Sequence, residues 1–596
     1  MIRTYRMILE TMEGAERRRF WLVVAVTFVI SAFEAASVVA ILPFLQILSD
    51  PGIIETTPTL ARLYDLSGLQ STNAFLIAIG CAVLLLTTAG LASKILTIWI
   101  TTRFALMRSY TLSARLLSVY LSQPYRWYLT KNSADIGTDV LAEVDILARD
   151  ALLPAMRLIP ELFSVALIGI ALCLIEPAVA IGSVALIGGG FLLVYLVVQR
   201  LLLRVGARRL GANNQRFRLV QEATGGIKDV KILGLEQTYL NRFKDPARRM
   251  AEAQTTGQIV MHTPRFALEA LAFCGMIVLI LFMLIRSEGD LAQVVPTLGL
   301  LAAAGLRLFP ALQQVYFRSS LLRQTRAALE KIHTDLVSLE HHDIDETRGR
   351  LDLTRALEMK QIAFNYEGGE RPVLHGIDLC LPARTSLGLV GGTGAGKTTL
   401  VDIILGLLPV GGGAFTVDGT AIEGENLRRW QKSIGYVPQQ IYLSDATLAE
   451  NIAFGVPEDE IDLEAVMAAA RIANLHDFVL ETLPDGYRTR VGERGVRLSG
   501  GQRQRIGIAR ALYRKPTTLV LDEATSALDN LTELAVMEAI RRLAGEVTLI
   551  IIAHRLSTVK DCDQILLLRD GLVAAQGTFA EIIAADEEFA RMAGAG

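Results

Sequence analysis

Gly391-Gly392-Thr393-Gly394-Ala395-Gly396-Lys397-Thr398 decides the reading of this chain. The stretch fits G-x-x-x-x-G-K-[ST], the phosphate-cradling P-loop (Walker A) pattern, followed by Thr399. Before it lies a strand-like apolar run, Ser386–Val390, and after it a helical run, Thr399–Leu407. Both are the context the pattern needs. The glycines allow a tight turn whose N–H groups face phosphate oxygens, and the following helix adds its positive end. Lys397 can reach the β- and γ-phosphates, and the Thr398 hydroxyl can ligate Mg²⁺.

Downstream, Leu498-Ser499-Gly500-Gly501-Gln502 places a hydroxyl and bare amides at a helix start, a second anion-binding end. The apolar strand Thr518–Leu521 ends in Asp522-Glu523. Asp522 suits Mg²⁺ held through water, and Glu523 suits a general base that polarises the hydrolytic water. Ser526–Asp529 reads S-A-L-D, and His554 follows the apolar strand Leu549–Ile552, where an imidazole can contact a γ-phosphate. Upstream, Tyr366 precedes Gly391 by 25 residues and can stack on adenine. Gln439, in Y-V-P-Q-Q, can reach Mg²⁺ or the attacking water.

Outward from this half the composition changes. The first half carries long apolar runs, and the mean hydropathy of +0.39 averages two unlike regions. Spanning helices need about 20 apolar residues. Six runs qualify, approximately 20–49, 73–102, 151–175, 178–199, 266–285 and 291–317, with Glu176-Pro177 as a tight turn between the third and fourth. The N-terminal segment and the loops 103–150 and 200–265 hold 5, 6 and 13 Lys/Arg, whereas the alternate loops hold only Arg62 and Arg286. The positive-inside rule therefore puts the N-terminus, both long loops and the nucleotide half in the cytoplasm. The expected organisation is a transmembrane domain over 1–325, a connector over 326–350 and a nucleotide-binding domain over 351–596.

At 596 residues several domains are expected, and a net charge of −2 gives no bulk preference for nucleic acid. The five cysteines lack metal spacing. The basic, apolar N-terminus is too long for a signal-peptide core and reads as a retained helix. Loop tips near Asn132–Thr138 and Gly225–Lys231 are expected to touch a neighbouring domain. In the outer loop, Leu60, Leu63, Tyr64 and Leu66 can share one face of a short amphipathic helix.

The order aromatic, Walker A, Gln, L-S-G-G-Q, D-E, S-A-L-D, His resembles the ATP-binding cassette (ABC) family. Six helices followed by one cassette is similar to an ABC half-exporter of the type IV fold: a polytopic α-helical membrane domain followed by an α/β P-loop ATPase domain. The resemblance implies that Tyr366 is the adenine-stacking A-loop, Gln439 the Q-loop glutamine and Glu493 the X-loop. It further makes Ser499 to Gln502 the signature, Asp529 the D-loop, Glu523 the catalytic glutamate and His554 the switch histidine. ATP and Mg²⁺ are the implied cofactors. The signature of one subunit closes on the Walker A loop of another, so the resemblance implies a homodimer or a pair with a similar half.

Cargo must be read from the membrane half. Arg265, Arg307 and Lys94 are costly charges in apolar runs and mark a pathway or a pair. Such cations favour phosphate, pyrophosphate or carboxylate. The counter-ions in view are Glu34 for Lys94 and Glu269 for Arg307. Ser31–Phe44, Thr263–Ala270 and Leu306–Pro310 resemble the bacterial lipid-linked oligosaccharide flippases of the inner membrane. That implies a polyprenyl-diphosphate cargo, with another amphipathic cargo (a lipid A-type lipid, drug or peptide) or a non-transporting ATPase as alternatives.

Overall fold

The computed structural model describes residues 2–49, 51–69, 71–175, 177, 189–286, 291–339, 349–366, 372–492, 495–524, 530–543, 545–553 and 555–594. The chain divides into two compact units near residue 344.

The first unit is helical. It opens with α1 (Ile2–Glu10), α2 (Gly14–Val39) and α3 (Ile41–Ser49). The expected first span is thus two helices that break at Ala40, three residues before Pro43. The following loop forms α4 (Ile53–Thr56) and α5 (Pro58–Ser67). Only part of the expected apolar face turns inward. Leu60 is buried and Tyr64 packs edge-on against Phe75, while Leu63 and Leu66 stay exposed.

Next comes α6 (Thr72–Leu121), 50 residues without interruption. A 43-residue helical run, Ser133–Ile175, contains α7 (Ser133–Gly137), α8 (Val144–Leu147) and α9 (Leu153–Ile175). Wider π-turns join them over Thr138–Glu143 and Ala148–Leu152. The rest is α10 (Gly189–Gly225), α11 (Ile227–Ile232), α12 (Glu236–His262), α13 (Pro264–Arg286), α14 (Leu291–Gln324) and α15 (Arg326–Ser338). Both loop tips singled out in the sequence carry short helices, α7 capped by Asn132 and α11 after Gly226. Glu176 and most of the expected span 178–199 lie outside the described residues.

Among the described residues three helical stretches are long and apolar enough to cross a membrane, 14–48, 72–121 and 133–175. Apolar side chains of α6 such as Leu84, Leu85, Ile95 and Trp99 are exposed, as expected of a lipid-facing surface.

Beyond the apolar spans the same helices form an ordinary water-excluding core. Phe20, Leu116, Val119, Val144, Leu147, Leu329 and Ile332 are buried together. Several polar groups inside it are paired, as burial requires. Glu143, fully buried on a π-turn, accepts from Arg209 Nη2 and Asn213 Nδ2, each at 2.9 Å. Lys331 of α15 meets Asp139 at 2.5 Å, and the Tyr120 hydroxyl donates to Asp335 at 2.7 Å.

The second unit contains two sheets. A four-stranded antiparallel sheet has the order β2 (Leu374–Pro382), β1 (Ala356–Phe364), β4 (Gly412–Val417), β5 (Thr420–Ala421). The six-stranded sheet runs β10 (Leu572–Gly577), β9 (Gln564–Arg569), β3 (Ser386–Gly391), β8 (Thr548–Ile552), β7 (Thr518–Asp522), β6 (Ile434–Val437). All its pairings are parallel except β10 with β9. Strands β3, β7 and β8 are apolar almost throughout because helices and the second sheet cover both faces.

Removing Arg209 leaves a buried, unpaired carboxylate. Arg209→Ala is expected to destabilise the first unit by about 3–5 kcal/mol. Arg209→Met with Glu143→Gln is expected to recover most of that loss. Chemical unfolding of the purified chain checks both; an unchanged Arg209→Ala midpoint would refute the buried-pair argument.

Candidate functional site

Parallel register builds the nucleotide site. Ligands of such sheets sit outside the carboxyl ends of the strands, and three strand ends here supply side chains to one place. At the end of β3 the chain enters the glycine loop, then α16 (Lys397–Ile404). Gly394 and Gly396 have φ of 82° and 98°, in the left-handed region that favours glycine. At Gly396 a Cβ would also come within 2.8 Å of Leu374 Cδ2. The loop therefore demands these glycines for conformation as well as for phosphate access.

Lys397 is buried, and its Nζ donates to the carbonyls of Gly391 at 2.7 Å and Gly392 at 2.9 Å. Burial lowers its pKa, while Glu523 and Asp522 hold the charge in place. Thr398 is exposed on the first turn of α16. Thr399 is buried and hydrogen bonds the Tyr366 hydroxyl at 3.2 Å. Phe364 packs edge-on against the Tyr366 ring at 5.0 Å. Tyr366 is thus fixed beside the loop by a contact to α16.

Strands β6 and β7 pair Val437 with Leu521. Two residues on, Gln439 and Glu523 stand side by side, and Gln439 Nε2 donates to Glu523 Oε2 at 2.8 Å. Glu523 has φ of 49°, a conformation costly for a side chain larger than glycine. Asp522 pairs with Ile552 in the sheet and accepts from the Tyr436 hydroxyl at 3.4 Å. His554, two residues past Ile552, lies outside the described residues, as do Glu493 and Ser526–Asp529.

One nearby group escaped the sequence reading. Asp402, on α16, is pushed up to about 6 by burial, with Asp522 adding to the shift. Nothing in the motif signals it; only the fold brings α16 against the end of β7.

Ser499 caps α17 (Gly500–Tyr513) in a reciprocal box with Gln502. The Ser499 amide donates to Gln502 Oε1 at 2.7 Å, and the Gln502 amide to Ser499 Oγ at 3.2 Å. Ser499 is exposed, and Gly500 and Gly501 are half-buried. Among the described residues no hydrogen bond or ion pair joins Leu498–Gln502 to Gly391–Thr398.

The donor set fits a magnesium nucleotide. Mg²⁺ is commonly held by one or two carboxylates with the substrate phosphates. Thr398, Gln439 and Asp522 supply a hydroxyl, an amide and a carboxylate oxygen, and no group of three His, Cys, Asp or Glu side chains competes among the described residues.

Models of two families match the chain: "ABC transporter" over residues 374–526 and "ABC transporter transmembrane region" over 21–303. The ATP-dependent lipid A-core flippase of Saccharophagus degradans is 31% identical over 475 residues, 78% of each chain. The chain belongs to the ABC transporter family. It is an exporter half-transporter, with a helical transmembrane domain followed by an ATP-binding ATPase domain. The ATP-dependent lipid A-core flippase of Cupriavidus pinatubonensis is 35% identical over 398 residues, 66% of this transporter and 66% of the relative. A bacterial Atm1-family ABC exporter with ATP bound shares the fold, with a TM-score of 0.80 over 97% of this chain and 98% of that one, at 23% identity.

In the membrane unit the singled-out cations are all paired. Glu34 is buried and takes Lys94 Nζ at 2.6 Å and Arg307 Nη1 at 2.8 Å. Arg307 therefore pairs with Glu34 of α2, where Glu269 is the counter-ion expected from sequence. Glu269 instead holds Arg265 at 2.9 Å, one helical turn away, and accepts from Gln313 at 3.2 Å. Arg157 and Arg318, which the sequence reading does not single out as cargo contacts, sit near this cluster. Arg318 Nη1 reaches Glu161 at 3.3 Å.

A raised carboxyl pKa costs folding stability once pH exceeds the unfolded value. That cost grows between about pH 4 and the folded value of about 6, then levels. Asp402→Asn is accordingly expected to raise the melting midpoint of the ATPase unit by about 2–4 °C at pH 7.5. The gain should vanish below pH 4. Scanning calorimetry at both pH values checks the sign, and a gain at low pH would contradict it.

Proposed function

We propose that this transporter is an ATP-driven flippase for a lipid whose headgroup carries phosphate. The observation that carries the reading is the cluster of cations set among apolar helices, on a chain with an ABC ATPase domain. Lys94, Arg307, Arg157 and Arg318 outnumber their carboxylate partners Glu34 and Glu161. Charges at this depth are expensive unless they serve a path or a pair, and the surplus favours an anionic cargo.

Within that class the cargo proposed first is a polyprenyl-diphosphate-linked oligosaccharide. Support comes from Ser31–Phe44, Thr263–Ala270 and Leu306–Pro310, together with the outer helix α5. The relatives named lipid A-core flippases favour a second cargo, a lipid A-type glycolipid. Both present phosphate to the same cations.

In the ATPase domain Glu523 is proposed as the general base, oriented by Gln439. Lys397 and the loop amides would bind the phosphates, Tyr366 would stack on the base, and His554 would contact the γ-phosphate. Thr398, Gln439 and Asp522 would hold Mg²⁺, which when bound neutralises charge on the phosphates. Ser499 to Gln502 would close the site of a second subunit. That arrangement makes a homodimer, or a pair with a similar half, the working unit. Its proposed setting is the bacterial inner membrane, with the N-terminus and ATPase domain cytoplasmic.

Glu523→Gln is expected to slow ATP hydrolysis by about 10²–10⁴-fold while nucleotide binding survives. Single-turnover hydrolysis and nucleotide trapping check this. Full turnover would remove Glu523 from the role.

For the cargo, the reconstituted chain is offered a polyprenyl-diphosphate glycan and a lipid A-type lipid in parallel. ATP-dependent movement of the first supports the first cargo, and movement of the second alone supports the other. Arg265→Ala with Arg307→Ala should cut flipping at least tenfold. Normal flipping in that variant would end the electrostatic argument.

A further inference from the structure

A cavity of about 260 Å³ lies where α1 leads into α2, walled also by α6, α8, the π-turn after it and α15. Ile8, Met12, Leu112, Leu147 and Leu329 form its apolar side. Its polar side carries four charges of balanced sign. Arg108 and Arg115 come from α6, Glu13 and Glu16 from the start of α2. None of the residues assigned above to nucleotide or cargo lines it.

Arg108 pairs with Glu16. Its Nε is nonetheless buried and has no hydrogen-bond acceptor among the described residues. A buried charged donor without an acceptor is costly, so this one needs an explanation. Arg115 Nη1 donates to the Thr11 carbonyl at 3.1 Å. Glu16 has both oxygens engaged, one by Arg108 and the other by the Glu13 amide at 3.2 Å. The Glu13 residue is exposed.

The depth of the cavity follows from the apolar runs. Glu16 stands four residues before the run that starts at Phe20, and Arg108 six residues past the run that ends at Thr102. At 1.5 Å per residue these offsets are about 6 Å and 9 Å. A headgroup layer is about 5–8 Å thick on each side of the hydrocarbon. The two charges therefore fall within that layer and at its outer edge. Trp21 and Trp99 are exposed at the same ends of their helices, where tryptophan settles at an interface. The Arg103 guanidinium lies over the Trp99 ring at 5.3 Å.

We infer that this cavity holds the headgroup of one zwitterionic phospholipid with a primary ammonium, a phosphatidylethanolamine. Arg108 Nε and Arg115 take the phosphate, because guanidinium matches phosphate oxygens. Glu13 takes the ammonium, since Glu16 is already engaged. The apolar side receives the start of the acyl chains. A purely anionic headgroup loses to the two glutamates what it gains from the two arginines. A quaternary ammonium fits less well, having no N–H to donate to a carboxylate. Such a lipid would bridge α1, α2, α6 and α15 without being cargo. The inference rests on the membrane-spanning unit alone and not on the flippase reading.

The test is lipid binding to the delipidated, detergent-solubilised full-length protein, read by mass spectrometry of the intact complex. The probes are dioleoyl phosphatidylethanolamine, phosphatidylcholine and phosphatidylglycerol. Phosphatidylethanolamine is expected to bind once per chain, about tenfold tighter than the other two. Glu13→Gln should remove that preference and leave phosphatidylcholine binding unchanged. Arg115→Gln should weaken all three lipids. Arg108→Gln strips Glu16 of its partner, so the other two variants carry the test, and melting midpoints check that each is folded. Equal binding of the three lipids by the parent, tighter phosphatidylglycerol, or a folded Glu13→Gln protein that keeps the preference overturns the inference. Soluble O-phosphoethanolamine shares the headgroup chemistry and is added as competitor. Failure to displace the lipid at equal concentration supports a lipid site, whereas displacement assigns a soluble zwitterion and overturns the lipid assignment.

Discussion

The parallel register of β3, β8, β7 and β6 is the constraint on which the ATPase unit depends. Because side chains alternate along a strand, a slip of one residue would turn every inward side chain outward. Here it would also separate Gln439 from Glu523 and move Asp522 away from α16. The register is held by near-continuous apolar strands buried on both faces. Packing of Leu, Ile and Val thus sets the spacing of polar groups that those residues never touch. The strain at Glu523, with φ of 49°, persists because the surrounding sheet over-determines it.

The helical unit meets a different constraint. Two buried carboxylates on its long helices, Glu143 and Glu34, are each neutralised by partners on other helices. Glu143 draws α10 to the π-turned segment through Arg209 and Asn213. Glu34 draws α6 and α14 to α2 through Lys94 and Arg307. Such pairs add little net stability over apolar packing, but they penalise any alternative arrangement that leaves one charge alone. Apolar contacts along these helices tolerate sliding, whereas a single buried carboxylate does not.

Much of the ATPase site was legible in the sequence because its motifs are short and local. The glycine loop, L-S-G-G-Q and D-E each fall at a strand end or helix start that their own residues help to form. Asp402 was not legible, since its perturbation comes from α16 lying against β7. Pairing in the helical half was harder to read. Arg307 and Glu34 are separated by 273 positions, and a list of charges does not say which helix neighbours which. The face of α5 was half legible. Leu60 and Tyr64 pack inward, but an amphipathic count does not say which apolar residues meet protein and which stay outside.

The unbroken length of α6 has a mechanical consequence. At 1.5 Å per residue its 50 residues make a rod of about 75 Å. A bilayer core of about 30 Å grips less than half of it. The remainder is a lever arm that carries no hinge of its own. A tilt of about 10° at the grip would swing the free end by roughly 8 Å, taking the roughly 45 Å outside the bilayer core as the radius. Stiffness along this one helix lets a small angular change at either end be felt at the other without any signal passing from residue to residue.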